Sequence, residues 1–155
     1  MLIRLAEEKD CRDIWKWRNH PKVRKWCINN NDIKLADHKK WFKEKKQDKK
    51  TEIYIAENNN NKIGQVRFDI LKNVAEININ LNPEYFGRGL GHRVLLEATN
   101  NFFSHHGGVK KIIAKIISEN LASIKAFSKA GYKFIFSESE NNNEIKVYEK
   151  RNEKL

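Results

Sequence analysis

The sequence predicts an α/β fold, a mixed sheet with helices on both faces, and three observations lead there. Segments that alternate apolar and polar residues are interleaved with segments of helical period, in the order β-α-α-β-β-β-α-β-α-β-β. The 155 residues, 39% of them hydrophobic, suffice for one core, since a domain of this length buries roughly two thirds of its unfolded surface. No Pro- or Ser-rich linker, repeat or change in composition marks a boundary, so residues 1–155 read as a single domain.

LIRLAE opens the chain as a strand, and EKDCRDIWKWRNH follows as a helix with Ile14, Trp15 and Trp17 on its apolar stripe. Pro21 is expected to end it. Residues 37–47 form a second, polar helix carrying Trp41 and Phe42. EIYIAE, the asparagine run and KIGQVRFDIL make a hairpin, and VAEININL adds a third alternating strand. A helix beginning near Leu90 comes next, and then KKIIAKII, whose unbroken apolar run suggests burial on both faces. ENLASIKAFSKAG is a short helix with Asn120 as its N-cap and Gly131 at its stop. YKFIFSES and NEIKVYEKR close the chain as a second hairpin.

Composition limits the function. No stretch reaches the roughly 18 apolar residues of a membrane span, and MLIRLAEEKDC lacks the features of a signal peptide, which points to the cytoplasm and away from membranes. Cys11 and Cys27 have no CxxC partner and are expected as free thiols, with no metal site. The net charge of +11 is spread among lysines and asparagine runs rather than gathered in a patch. It suits small phosphorylated ligands, which need only a few such residues, better than nucleic acid.

The most informative stretch is PEYFGRGLGHRVLL, with Gly87, Gly89 and Gly91 ahead of a helix. It fails the dinucleotide pattern, because His92 or Val94 falls where the third glycine belongs, and no Gly-Lys-Ser/Thr follows for a Walker loop. A strand, a turn free to take positive φ and a helix N-terminus remain. That arrangement either makes a tight connection or aims backbone N–H groups at an anion such as a pyrophosphate.

A second motif bears on this choice: Asn120-Leu-Ala-Ser-Ile-Lys-Ala-Phe127-Ser-Lys-Ala-Gly131-Tyr132. Together with FGRGLG, in this order and at this separation, it resembles the GCN5-related N-acetyltransferase (GNAT) superfamily. The specific resemblance covers Leu81 to Tyr132, a third of the chain, and the element order extends it over the rest. The resemblance implies acetyl-CoA as donor, with its pyrophosphate held around Arg88, Gly89, Leu90, Gly91 and His92. It pairs Ile79, Asn80 and Leu81 with the pantetheine and puts Asn120, Ser123 and Phe127 along the same arm. Two positions depart from the family pattern: Phe86 stands where Arg or Gln is usual, and Phe127 where many members have a tyrosine that protonates the departing thiolate. Tyr85, Tyr132 or a water is left for that role, and Glu76 on the strand VAEININL is the leading candidate base.

The acceptor is read from WKWRNHPKVRKWCINNNDIKLADHKKWF, which holds all four tryptophans of the chain among basic residues. Trp17, Arg18, Asn19, Arg24, Trp26, His38 and Trp41 are its candidate binding residues, since aromatics among guanidinium groups suit a flat base with phosphates. The wording is similar to the N-acetyltransferases of pseudaminic acid synthesis, which implies the 4-amino group of a UDP-linked 4-amino-4,6-dideoxy sugar. A ribosomal-protein or peptide N-terminus is the rival acceptor, and a basic module binding nucleic acid or a protein is the rival outside enzymes. The expected partner is a small-molecule amine, a nucleotide sugar, with a homodimer through the C-terminal hairpin left open.

Overall fold

In the computed structural model, which describes residues 1–153, one seven-stranded sheet runs in the order β1-β2-β3-β4-β5-β7-β6. Its strands are β1 (Leu2–Leu5), β2 (Thr51–Asn58), β3 (Asn61–Leu71), β4 (Val74–Leu81), β5 (Lys111–Ile117), β6 (Lys133–Glu140) and β7 (Asn143–Arg151). The helices are α1 (Cys11–Asn19), α2 (Pro21–Arg24), α3 (Leu35–Gln47), α4 (Gly91–His105) and α5 (Leu121–Lys129). Every strand pair is antiparallel except β4 with β5. Among the described residues, no helix is long and apolar enough to cross a membrane.

Alternation along the strands sends side chains to two separate layers. Val66 and Phe68 of β3 with Ala75 and Ile77 of β4 face α4 and α5, where Phe68 stacks on Phe102 at 4.1 Å. Ile53 and Ile55 of β2 face the other way, against Ile14 and Trp17 of α1 and Phe42 of α3. A third, smaller layer lies on Ile117, Ile145 and Val147, covered by Trp26 and Ile28 from the connection between α2 and α3.

Four details depart from the sequence reading. The first strand stops at Leu5, and the residues read as one helix begin with a 3-10 turn, Glu8–Asp10, before α1. Pro21 ends α1 as read, but it also starts a short helix that the reading did not include: His20 takes the extended backbone that a following proline imposes, and its Nδ1 then accepts from the Lys22 amide at 3.1 Å to cap α2. Strand β5 is buried on one face, through Ile112, Ala114 and Ile116, but Lys115 on the other face is exposed, because only Trp26 and Ile28 reach over that side. The end of α5 is as read: Asn120 Oδ1 accepts from the Ser123 amide at 3.2 Å, and Gly131 takes φ +93°.

The start of α1 is tied to the sheet by a buried ion cluster. Asp10, fully buried, accepts two hydrogen bonds from Arg4 at 2.7 and 3.0 Å, one from the Glu7 amide at 2.8 Å, and an ion pair from Lys62 at 2.7 Å. Burial alone pushes its carboxyl up, but these partners outweigh it and hold the group well below the usual carboxylate range. Asp10→Asn leaves two cations short of a partner, and removing one member of such a cluster costs about 3 to 5 kcal/mol. Urea denaturation at neutral pH should show that loss. A depressed carboxyl stabilises the fold above its unfolded pKa of about 3.9 and loses its contribution as the pH falls below it, so the gap between wild type and variant should narrow below about pH 4.

Candidate active site

The parallel ladder of β4 with β5 holds for only four pairs, from Val74 opposite Lys111 to Ile77 opposite Ala114. Both strands continue, β4 still paired with β3 to Leu81 and β5 with β7 to Ile117, so the two halves of the sheet part beyond Ile77. The parting leaves residues 78–81 with a backbone edge that has no strand on its β5 side. It also opens a cleft of about 1080 Å³, bounded by both strands, the glycine turn, α5 and the region from α1 to α3.

Below the parting lies the glycine turn. A 3-10 turn, Pro83–Tyr85, is capped by Asn82, whose Oδ1 accepts from the Glu84 amide at 3.1 Å. Gly87 and Gly89 then take φ of +74° and +69°, in the left-handed region that favours glycine. Helix α4 begins with Leu90 at its N-cap, a residue with no side-chain acceptor, so the first-turn amides stay unmatched by any cap at the cleft wall. Gly91 differs from the expectation of positive φ at all three glycines. Its backbone is not left-handed, and a Cβ there would meet Ala126 and Leu81 at an ordinary 3.6 Å.

The structure divides the residues read as a cofactor set. Ile79, Asn80, Leu81, Gly89, Leu90, Gly91, His92, Asn120, Ser123 and Phe127 all border the cleft, whereas Arg88 is exposed outside its lining, its guanidinium 5.1 Å over the Tyr85 ring. The Asn120 side chain already spends its oxygen on capping α5.

The acceptor set divides as well. Arg18, Trp26, His38 and Trp41 border the cleft. Trp17 lies in the layer under α1 and α3, and Asn19 is committed to Ile33, donating to its carbonyl at 2.7 Å and accepting from its amide at 2.9 Å. Arg24 pairs with Asp32 at 3.4 Å. These last three shape the loop rather than line the cleft. His38 Nε2 bonds the Cys11 carbonyl at 2.9 Å, and burial pushes the imidazole below its usual value, so it is neutral near pH 7. Arg67 lies 5.2 Å over Trp41, and Arg18 donates one nitrogen to the Asn29 carbonyl while its Nη1 is buried without a partner.

Residues 1–133 match the acetyltransferase (GNAT) domain model. The chain belongs to the GNAT family. It is similar to an uncharacterized protein of Methanocaldococcus jannaschii, 27% identical over 147 residues, which span 86% of this chain but only 28% of that protein's length. It is also 25% identical over 138 residues to the L-methionine sulfoximine/L-methionine sulfone acetyltransferase of Salmonella typhimurium, spanning 85% of this chain and 80% of the relative. Its fold is that of the spermidine N-acetyltransferase of Vibrio cholerae in complex with CoA and spermine, with a TM-score of 0.85 at 16% identity, covering 97% of this chain and 94% of that one. The chain thus carries an N-acetyltransferase domain of the GNAT type, for which acetyl-CoA is the expected donor. The open edge of residues 78–81, the two left-handed glycines and the uncapped start of α4 fit such a donor: a strand-like arm beside β4 and an anion at the amides.

Of the residues read as catalytic, Tyr85 borders the cleft. Glu76 does not: it lies two residues before the parting, exposed on the face away from α4, within electrostatic reach of Lys115. Tyr132 is buried, its hydroxyl 2.7 Å from that of Thr99, and burial pushes its phenol well up. Neither it nor Glu76 meets the cleft directly, because the strand and helix faces that carry them turn elsewhere. The sequence reading missed Gln65, Arg67, Asn78 and Lys115, which do border the cleft. Their signal was present: polar residues at alternate positions of strands that are otherwise apolar.

Gly89→Ala places a side chain at a left-handed backbone, at about 1 to 2 kcal/mol, and turns the adjoining amides. Acetyl-CoA affinity measured by calorimetry should fall at least about 10-fold. Gly91→Ala should leave it within about 3-fold, since its Cβ has room and its backbone is unstrained.

Proposed function

We propose that the chain, acting as one domain in the cytoplasm, moves the acetyl group of acetyl-CoA to the primary amine of an anionic acceptor, the 4-amino group of a UDP-linked amino-dideoxy sugar. The observation that carries this reading is the charge of the cleft. Arg18, Lys22, Lys25, Arg67 and Lys115 line its acceptor side, Lys125 and Lys129 the other, and Asp37 is the one acid among the described lining residues. A polyamine or other cationic acceptor would want the opposite. The buried Nη1 of Arg18 calls for an oxygen, and Trp26 and Trp41 border the same cleft, each with a cation over its ring.

Acetyl-CoA supplies an acetyl group activated as a thioester. The chain's part is to hold the attacking amine neutral and to manage two protons. Arg18, whose Nη1 has no partner, disfavours a further cation beside it, which favours the neutral form of a bound amine, while Arg67 and Lys115 are partly neutralised by Asp69 and by Glu138 and Glu140. Glu76, outside the cleft lining, takes the released proton through water, and Tyr85, whose position at the cleft supports the role, protonates the thiolate. A thiol needs little such help, because its pKa is only about 8.5. Phe127 in the place of the family's tyrosine is consistent with that.

Glu76→Gln should lower kcat by about 10²-fold and leave KM for acetyl-CoA unchanged. Full kcat in the variant from about pH 6 to 9 would hand the proton to solvent.

UDP should compete with the acceptor and not with acetyl-CoA. Arg18→Gln should cost about 1.5 to 3 kcal/mol of acceptor binding, an effect that shrinks with added salt. Calorimetry of UDP into the protein saturated with acetyl-CoA decides the matter: absence of heat, with turnover of a peptide N-terminus or an amino acid, would replace the nucleotide sugar by that acceptor.

A further inference from the structure

Two carboxamides on the floor of the cleft keep one free end each, and the sheet register sets them side by side. Gln65 of β3 lies opposite Asn80 of β4, and Arg67 opposite Asn78. Gln65 and Arg67 also lie opposite Ile55 and Ile53 of β2, so these polar side chains share the face that α1 and α3 cover. Gln65 is only 2% exposed, and its Oε1 accepts from Asn80 Nδ2 at 3.5 Å, which leaves Nε2 buried with no partner. Asn78 is the first residue of β4 beyond the parallel ladder, and its Oδ1 is likewise buried and unpartnered. Both residues border the cleft.

Buried polar atoms in folded proteins are matched almost without exception, so a free donor and a free acceptor on one cleft floor ask for a ligand that supplies the reverse pair. We propose that Gln65 and Asn78 are specificity-determining residues that seat an acceptor amine carrying an oxygen on the adjacent carbon. Asn78 Oδ1 accepts from the amine N–H where the strands part, and Gln65 Nε2 donates to the neighbouring oxygen. The inference rests on the reading of this cleft as the acceptor site of an N-acetyltransferase, not on the nucleotide.

Two physical points support the pairing. Diagonal positions on neighbouring strands are about 7 to 8 Å apart, so side chains reaching in from both bracket a short fragment such as N–C–C–O. A carboxamide at position 78 also holds an amine without favouring its protonation, whereas a carboxylate there would stabilise the unreactive ammonium. An amino sugar with a vicinal hydroxyl and an α-amino acid both present the fragment. A polyamine does not.

The test is steady-state kinetics on two matched pairs of amines: L-methionine sulfone with its decarboxylated counterpart, and a UDP-4-amino-4,6-dideoxy sugar with its 3-deoxy carbocyclic counterpart, which has no oxygen on either carbon beside the amine-bearing one. The wild-type protein should prefer the oxygen-bearing member of whichever pair turns over by about 10²-fold or more in kcat/KM, because its loss leaves Gln65 unmatched. Gln65→Met should collapse that preference below about 10-fold by slowing only the oxygen-bearing member. If that variant does not fold, the shorter Gln65→Asn keeps a carboxamide in the strand, withdraws its N–H from the ligand and should give the same collapse. Asn78→Val should slow both members alike, with acetyl-CoA affinity unchanged in every folded variant. Turnover of the amino-acid pair alone, with the preference intact, would remove the nucleotide from the proposed function and leave the carboxamide pair standing. Equal losses on both members in the Gln65 variants, a preference for amines without the oxygen, or turnover of neither pair would overturn the inference.

Discussion

The cleft exists because a parallel strand pair is interrupted while its outer neighbours are not. Four residue pairs join β4 to β5, and past them each strand keeps its full antiparallel ladder on the other side. Closing the gap would mean breaking one of those ladders, so the gap is built into the sheet. On one side Leu81 packs against the cluster that α4 and α5 cover, where Gly91 and Ala126 are small enough to let the elements approach. On the other, Trp26 and Ile28 lie over β5 and β7. The backbone groups that residues 78–81 turn toward β5, unlike those paired with β3, then have no strand partner in the sheet. Under the proposed function, that open edge is where a strand-like arm of the donor would pair.

What was legible in the sequence was what local chemistry dictates. Asn120 and Gly131 could be read as the ends of α5 because a cap needs an acceptor and a left-handed stop needs glycine, and both are found there. Alternation fixed β2, β3 and β4 almost to the residue. Reading failed where tertiary cover decides. KKIIAKII looks apolar throughout, yet nothing long enough lies over its second face, so Lys115 emerges beside the cleft. Trp17 and Trp41 look alike in sequence. The first is sealed under α1 and α3 and the second borders the cleft, a difference set by how the two helices pack rather than by either residue's neighbours in the chain. Gln65 and Asn78 were passed over because polar residues on alternate strand positions normally mark a solvated face, and here that face is roofed by helices.

Charge follows the same logic. The excess of Lys and Arg is spread over the surface, and counted as a total it says little. Where carboxylates are close, the cations are spoken for: Arg4 and Lys62 by Asp10, and Arg67 in part by Asp69 at 3.0 Å. Arg18 is different. One guanidinium nitrogen fixes the loop carbonyl of Asn29 and the other is buried and free, so the side chain that holds the loop also faces the cleft.

That double commitment matters for how an acceptor would be recognised. A lysine with a mobile ammonium must lose rotamer freedom when it meets an anion, whereas a planar guanidinium already held at one nitrogen presents the other at little further entropic cost. Trp15 and Asn19 strengthen the arrangement by fixing Ile33 at the far end of the same loop, at 2.6 Å from the indole and 2.7 Å from the carboxamide. The connection between α2 and α3 is thereby pinned from α1 at its middle, Asn29, and near its far end, Ile33. That wall of the cleft is therefore held by α1 rather than left to the loop alone, and under the proposed reading an acceptor would meet an Arg18 already in position.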